Sequence, residues 1–203
     1  MNRGAKPVRL QITTHLWKEP AVGELQLEPT SALVVFPSLL TLAPGERRTI
    51  RVGTLEAPGE REASYRILIE ELPSQVSEVD AGQGIAIRTR LSIPVFSAPR
   101  TARSKPGMEA PRLEGRTLVL AIVNAGLRHV RIGELLVTLE PGRGDTFATK
   151  LQGWYVLAGG RREYRMALPK GMGCLHRVRV TVPVEGSAAL ASDVVVDDPS
   201  CGR

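Results

Sequence analysis

The sequence predicts an all-β protein, and three observations carry that expectation. Short runs rich in aliphatic and β-branched residues recur along the chain. Proline–glycine turns such as Ala43-Pro44-Gly45-Glu46 and Ala57-Pro58-Gly59-Glu60 separate them. One segment, GIAIRTRLSIPVF at residues 84–96, places Ile85, Ile87, Leu91, Ile93 and Val95 at alternate positions, with only Thr89 breaking the apolar side. A period of two sets those side chains on one face of a strand.

The elements follow in order. Before Pro99 the runs VRLQITTHLW, SALVVFP, RRTIRVGTL, SYRILIEEL and the alternating segment give five strands. The proline-rich, basic stretch PRTARSKPGMEAP has no periodicity and reads as a linker, 100–110, between a domain at 1–99 and a second at 111–203. Beyond it TLVLAIV, RHVRIGELLVTL, FATKLQGWYVL, REYRMAL, LHRVRVTVPV and ALASDVVVDD supply six or seven strands, the scale of an immunoglobulin-like sandwich. LAGGRREY lacks the strand, loop and helix of a phosphate cradle and is expected to be a hairpin turn.

Composition narrows the function classes. The chain of 203 residues is 42% apolar and 24% charged, enough for a real core. Its net charge of +6 comes from arginines spread evenly, and aromatics are only 4%, so the basic cluster with stacking rings of a nucleic-acid binder is missing. No apolar run reaches the roughly 18 residues of a membrane helix. His15, His129 and His176 stand apart, with no second ligand at metal spacing, so neither metal nor cofactor is expected. No nucleophile elbow or triad context surrounds a serine, cysteine or glutamate, which argues against an enzyme and its small-molecule substrate. Arg143-Gly144-Asp145 is an adhesion-like triplet, but it sits in a Pro-Gly context and reads as a turn.

The two halves repeat. Asn2, Gly4, Val8 and Arg9 recur with the same spacing as Asn124, Gly126, Val130 and Arg131. A full strand, TLVLAIV, precedes the second copy, whereas only Met1 precedes the first.

Several segments carry a resemblance. VRLQITTHLW, VVFPSLLTLAPGERRTIRVG, SYRILIEELP, RLSIPVF, NAGLRHVRI and GWYVLAGGRREY are similar, in order and spacing, to the periplasmic chaperones of chaperone–usher pilus assembly, in particular the archaic, spore-coat-like subgroup. The resemblance implies two immunoglobulin-like sandwiches, the first lacking its opening strands, and no enzymatic activity. It implies pilus subunits and an outer-membrane usher as partners, and the periplasm as location. The expectation is therefore that Met1 is an internal methionine or misassigned start, with a signal peptide and two β-patterned runs upstream. A secreted structural or adhesive sandwich protein of the pilus-subunit class is the alternative.

In such chaperones the last strand of the first domain is lent to a subunit whose own sandwich lacks a strand, a form of β-strand addition. That role falls here on Ile85, Ile87, Leu91, Ile93 and Val95. Read without the family, the same alternation fits side chains facing their own core. Pro94 favours an edge strand, because proline cannot donate on both sides of a ladder. Better-known members bind the subunit's terminal carboxylate through an arginine on the first strand and a lysine on the last. The first strand has no counterpart here, and the lysine position falls at or near Pro94. Arg66, Arg88 and Arg90 are the substitutes, the competing reading being an arginine snorkelling to the surface for Arg66 and a solvated strand face for Arg88 and Arg90.

Cys174 opens the penultimate predicted strand and Cys201 follows the last, which brings them within disulfide reach if those strands pair antiparallel. Two free thiols are the alternative; the oxidising compartment implied by the resemblance favours the bridge.

Overall fold

The computed structural model describes residues 1–19, 25–73, 88–196 and 198. These fold into two compact units: one spans Met1–Lys18, Gln26–Gly59 and Ala63–Ser97, the other takes in Ala98 onward together with Glu19 and Glu60–Glu62. Among the described residues all regular structure is β, as the class expectation required.

The first unit contains β1 (Val8–Lys18), β2 (Gln26–Pro29), β3 (Leu33–Phe36), β4 (Leu39–Leu42), β5 (Arg51–Thr54), β6 (Ala63–Glu71) and β7 (Arg90–Ser97). Its main sheet runs β2-β1-β6-β7, with β4 also pairing β1; β3 and β5 form a separate two-stranded layer. Strand β6 is central and buried over six consecutive residues, Ser64 to Ile69, so both of its faces are covered. On one face Tyr65, Ile67 and Ile69 join Ile12 and Leu33 in a small core, with Val35, Ile50 and Val95 packed against it. Two of the seven strands, β2 and β4, fall outside the five read from sequence. Neither has an alternating pattern of its own, and both exist by pairing with β1.

The second unit contains β8 (Pro106–Met108), β9 (Arg112–Glu114), β10 (Thr117–Asn124), β11 (Val130–Arg131), β12 (Leu135–Pro141), β13 (Phe147–Leu151), β14 (Tyr155–Val156), β15 (Arg161–Ala167), β16 (Leu175–Val182) and β17 (Leu190–Val195). One sheet runs β15-β10-β8 with β9 beside β10; the opposing sheet runs β13-β12-β16-β17. Leu118, Leu120 and Ile122 of β10 meet Val137, Leu139, Val178 and Val180 between them, all at most 1% exposed. Strand β16 shows why: its valines at 178, 180 and 182 point inward while Arg179 and Thr181 face out. The β12–β16 register shifts between Glu140, opposite Arg177, and Pro141, opposite Leu175.

Two sequence readings change at this level. The stretch read as a linker, 100–110, contains β8, whose Met108 and Pro106 pair with Ile122 and Asn124 of β10. LAGGRREY is not a hairpin turn: β14 pairs β11 while β15 pairs β10, so the turn crosses from one sheet to another. Arg143-Gly144-Asp145 lies in the connection between β12 and β13, with Gly144 at φ +100°, a conformation natural to glycine.

The sequence repeat is a repeat of structure. Asn2 donates from Nδ2 to the Lys6 and Leu42 carbonyls at 2.8 and 3.1 Å and accepts from the Gly4 amide at 2.9 Å. Asn124 does the same with the Arg128 and Val156 carbonyls at 2.8 and 3.2 Å and the Gly126 amide at 3.1 Å. Val8 then pairs Leu42 as Val130 pairs Val156. The turns that follow also correspond: Gly45 (φ +76°) and Gly159 (φ +67°) sit in turns closed from Glu46 N to Ala43 O and from Gly160 N to Leu157 O.

Candidate functional site

Strand β7 lies at the edge of the first unit's main sheet, hydrogen-bonded only to β6 among the described residues. Leu91, Ile93 and Val95 stand opposite Ile69, Ile67 and Tyr65, so all six share the core-facing side. Their environments diverge nonetheless. The three β6 side chains are at most 9% exposed, whereas Leu91 is 51% and Ile93 42% exposed. Val95 is half-buried against the core. The edge position explains the difference: β6 is flanked on both sides, while among the described residues no strand pairs with the far flank of β7. Pro94 sits in this strand opposite Arg66, a place where its missing N–H costs little. Ile85 and Ile87, expected on the same face, lie outside the described residues.

The other face of the sheet holds a different cluster. Arg66 is 3% exposed, and its guanidinium carbon sits 3.9 Å from the centroid of the Trp17 ring. Trp17 in turn packs on Phe96 at 5.9 Å between centroids. A guanidinium over an indole face is an attractive contact between a cation and the ring's negative face. At 3% exposure the head of Arg66 does not reach solvent, which speaks against the competing reading of an arginine snorkelling to the surface. Arg90 is exposed and pairs with Glu70 at 2.8 Å; Arg88 is exposed just before the strand. The three arginines are therefore not one cluster: Arg66 is buried at mid-sheet, and the other two lie at one end of β7. Trp17 as the ring beneath Arg66 was not singled out from sequence. The signal was its odd-numbered place in β1, which sets it on the face of His15, opposite Ile12 and Leu16.

Two buried carboxylates lie in the second unit. Glu62, with 1% of its side chain exposed, accepts from the His129 amide at 2.9 Å and sits 2.7 Å from His129 Nδ1. His129 thus has a partner that sequence did not indicate. Glu19, 4% exposed, accepts from the Leu157 amide and from Arg162 at 2.8 and 2.9 Å. Burial pushes its carboxyl above the ordinary range, opposed by those two hydrogen bonds. On the outer side of the β15-β10 sheet, Arg112, Arg161 and Arg165 surround Glu163, with Glu109 and Glu114 completing the set. Hydrogen bonds from Arg112 and then Arg161 hold the Glu163 carboxyl below the ordinary range.

Cys174 is disulfide-bonded; Cys201 lies outside the described residues. Among the described residues no three metal-ligating side chains come together.

Comparison with known proteins bears on the fold and on the family. No curated protein sequence matches the chain. Solved structures do match over nearly its whole length. The CsuC–CsuE chaperone–tip subunit pre-assembly complex of Acinetobacter baumannii shares 18% identity and a TM-score of 0.62, covering 97% of this chain and 89% of the other. The Pseudomonas aeruginosa CupB2 chaperone gives 15% and 0.54, covering 97% and 89%. The Salmonella enterica SafA pilin in complex with the SafB chaperone gives 15% and 0.55, covering 95% and 86%. At these identities the likeness is one of fold, that of the two-domain immunoglobulin-like pilus chaperones. The family model for the pili and flagellar-assembly chaperone, PapD N-terminal domain, matches residues 1–103, and the chain belongs to that family.

Proposed function

We infer that this chain is a periplasmic chaperone that captures pilus subunits by lending them β7, and hands them to an outer-membrane usher. The observation that carries the reading is the pair Leu91 and Ile93, large aliphatics left half outside on an edge strand of a family member. A free, apolar edge is a hazard that natural proteins normally cover. A pilus subunit whose sheet lacks a strand supplies the missing cover: main-chain hydrogen bonds complete its sheet, and alternate side chains fill its groove. Ile85 and Ile87 continue the same period in sequence and extend the donated face. The structural relatives that contain a pilin or tip subunit alongside a chaperone support this choice of partner.

Arg66 is the best of the three candidate anchors for a subunit carboxylate. It is a permanent positive charge in a sheltered position, opposite Pro94 of the donated strand, and its ring contact with Trp17 fixes its orientation. Arg90 already holds Glu70, and Arg88 is solvated.

Co-expression with the pilin encoded nearest to it tests the reading. The expected result is a one-to-one complex in the periplasmic fraction and loss of the pilin when the chaperone is omitted. Equal recovery of soluble pilin with and without this chain contradicts it.

A further inference from the structure

Three stretches of the second unit, residues 152–155, 131–133 and 183–185, lie side by side. Backbone hydrogen bonds tie them together, from Ile132 N to Trp154 O and from Gly133 N to Pro183 O, both at 2.8 Å, and from Glu185 N to Arg131 O at 3.0 Å. Ile132, Val156 and Val184 turn into the core. On the opposite side Arg131, Gln152, Trp154, Tyr155 and Glu185 line a cleft of about 420 Å³, within the range of small-molecule sites.

The cleft exists because two of its lining residues are glycines. A Cβ on Gly153 would overlap the carbonyl oxygens of Ile132 and Gly133, and one on Gly133 would crowd Pro183 at 3.1 Å. Bare backbone leaves the hollow, and the hydrogen bonds across it fix its shape before a ligand arrives. Its rim is chemically mixed. Trp154 is 39% exposed, whereas the chain's other tryptophan, Trp17, is 3% exposed. The Trp154 ring stands at 85° to that of Tyr155, with 5.9 Å between centroids. The Arg131 guanidinium carbon lies 5.9 Å from the Tyr155 centroid, and its Nη1 lies 3.8 Å from Glu185 Oε2. Both charged side chains are well exposed, and Gln152 adds a neutral amide.

This combination selects by exclusion. An anion meets Glu185, a cation meets Arg131, and a wholly apolar molecule would strip water from both charges without replacing its hydrogen bonds. A neutral sugar ring meets none of these penalties. The C–H groups of one face lie against an aromatic ring, while its neighbouring hydroxyls accept from a guanidinium or an amide and donate to a carboxylate. We propose that this cleft binds a neutral saccharide, with Trp154 as the platform for the ring and Arg131, Glu185 and Gln152 as the partners of its hydroxyls. The site uses no residue of the first unit, so it stands whether or not β7 is a donor.

Trp154 reports its own occupancy, because the other tryptophan is buried. The full chain is titrated with maltose, cellobiose, lactose and N,N′-diacetylchitobiose. The expected result, with at least one of them, is a saturable blue shift of the fluorescence and protection from iodide quenching, half complete at or below about 10 mM. In calorimetry with that sugar, Trp154→Ala should weaken binding at least about tenfold, Trp154→Phe, which keeps a ring, should weaken it less, and Gln152→Ala should weaken it about threefold. The last two are small changes that keep the test intact if Trp154→Ala does not fold. No saturable response to any of the four sugars overturns the proposal, as does unchanged affinity in Trp154→Phe and Gln152→Ala together. Tighter binding of choline, of acetate or of a proline-rich peptide also overturns it, because the cleft would then be reading charge or an extended backbone in place of a polyol.

Discussion

Leu91→Asp separates the two meanings of the alternating strand. Full burial of a leucine is worth about 1.5–3 kcal/mol, and Leu91 is 51% exposed in the free chain, so about 1 kcal/mol remains to be gained when a subunit covers it. The aspartate forfeits that gain and brings a carboxylate into an apolar groove, a further cost of about 2–3 kcal/mol. Together these weaken subunit capture by at least about a hundredfold. The free chain loses only the half of the side chain already covered, about 1 kcal/mol, so it stays folded. Ser92→Asp, one residue along and on the other face, is the control and leaves capture close to normal. Capture is read as pilin recovered per chaperone after co-expression, and folding by the thermal midpoint of the purified variant. Unchanged recovery with Leu91→Asp refutes the reasoning. A variant that no longer folds shows that the strand's first duty is to its own core.

Asn124 is 1% exposed and its amide satisfies the Arg128, Val156 and Leu157 carbonyls, so Asn124→Ala should cost about 3 kcal/mol in denaturant unfolding, with Asn2→Ala costing less. Gly153→Ala should prevent the second unit from folding, because its Cβ would lie 1.7 Å from the Gly133 carbonyl oxygen, whereas Gly45→Ala meets open space and should cost only the roughly 1–2 kcal/mol of a left-handed alanine. The Glu19 carboxyl is raised by burial, so its contribution is greatest below the ordinary carboxylate pKa and is lost as pH rises through the raised folded value. Glu19→Gln should therefore be no less stable than the parent at neutral pH and lose part of its advantage in mild acid; a clear loss at neutral pH contradicts this. The Cys174–Cys201 pairing predicts a chain without alkylatable thiols when isolated oxidised. Closing a loop of about 27 residues corresponds to roughly 3–4 kcal/mol, which reduction should remove from the unfolding free energy.

The strands that were legible in sequence are those with a period imposed by burial or a long β-rich run. β16 read correctly because alternate residues meet the core and the others do not; β1 and β6 read correctly as long β-rich runs, β6 being covered on both faces. β2 and β4 are made by their neighbour: Glu28 and Pro29 form a strand only because His15 and Leu16 stand opposite. β8 was hidden by the prolines around it, since composition alone cannot reveal a pairing with Ile122. The asparagine repeat was visible as Asn-x-Gly. Its companion turn was not, because 40 residues separate Asn2 from Leu42 but 32 separate Asn124 from Val156. At the candidate site the alternation of Leu91, Ile93 and Val95 showed which side chains share a face but not that the face is open. Alternation is common to edge and central strands, and Pro94 was the only local clue to the edge. The contact of Arg66 with Trp17 joins residues far apart in the chain, so no local pattern announced it.

The most direct test of the account is hydrogen exchange on the complex with the co-expressed pilin, followed at Arg90–Ser97. The account predicts that these amides, slow only where they face β6 in the free chain, become slow throughout once the subunit is bound, while the far edge at β2 is unchanged. A stable complex in which Arg90–Ser97 exchanges as it does in the free chain would contradict donation of β7 and place the subunit elsewhere.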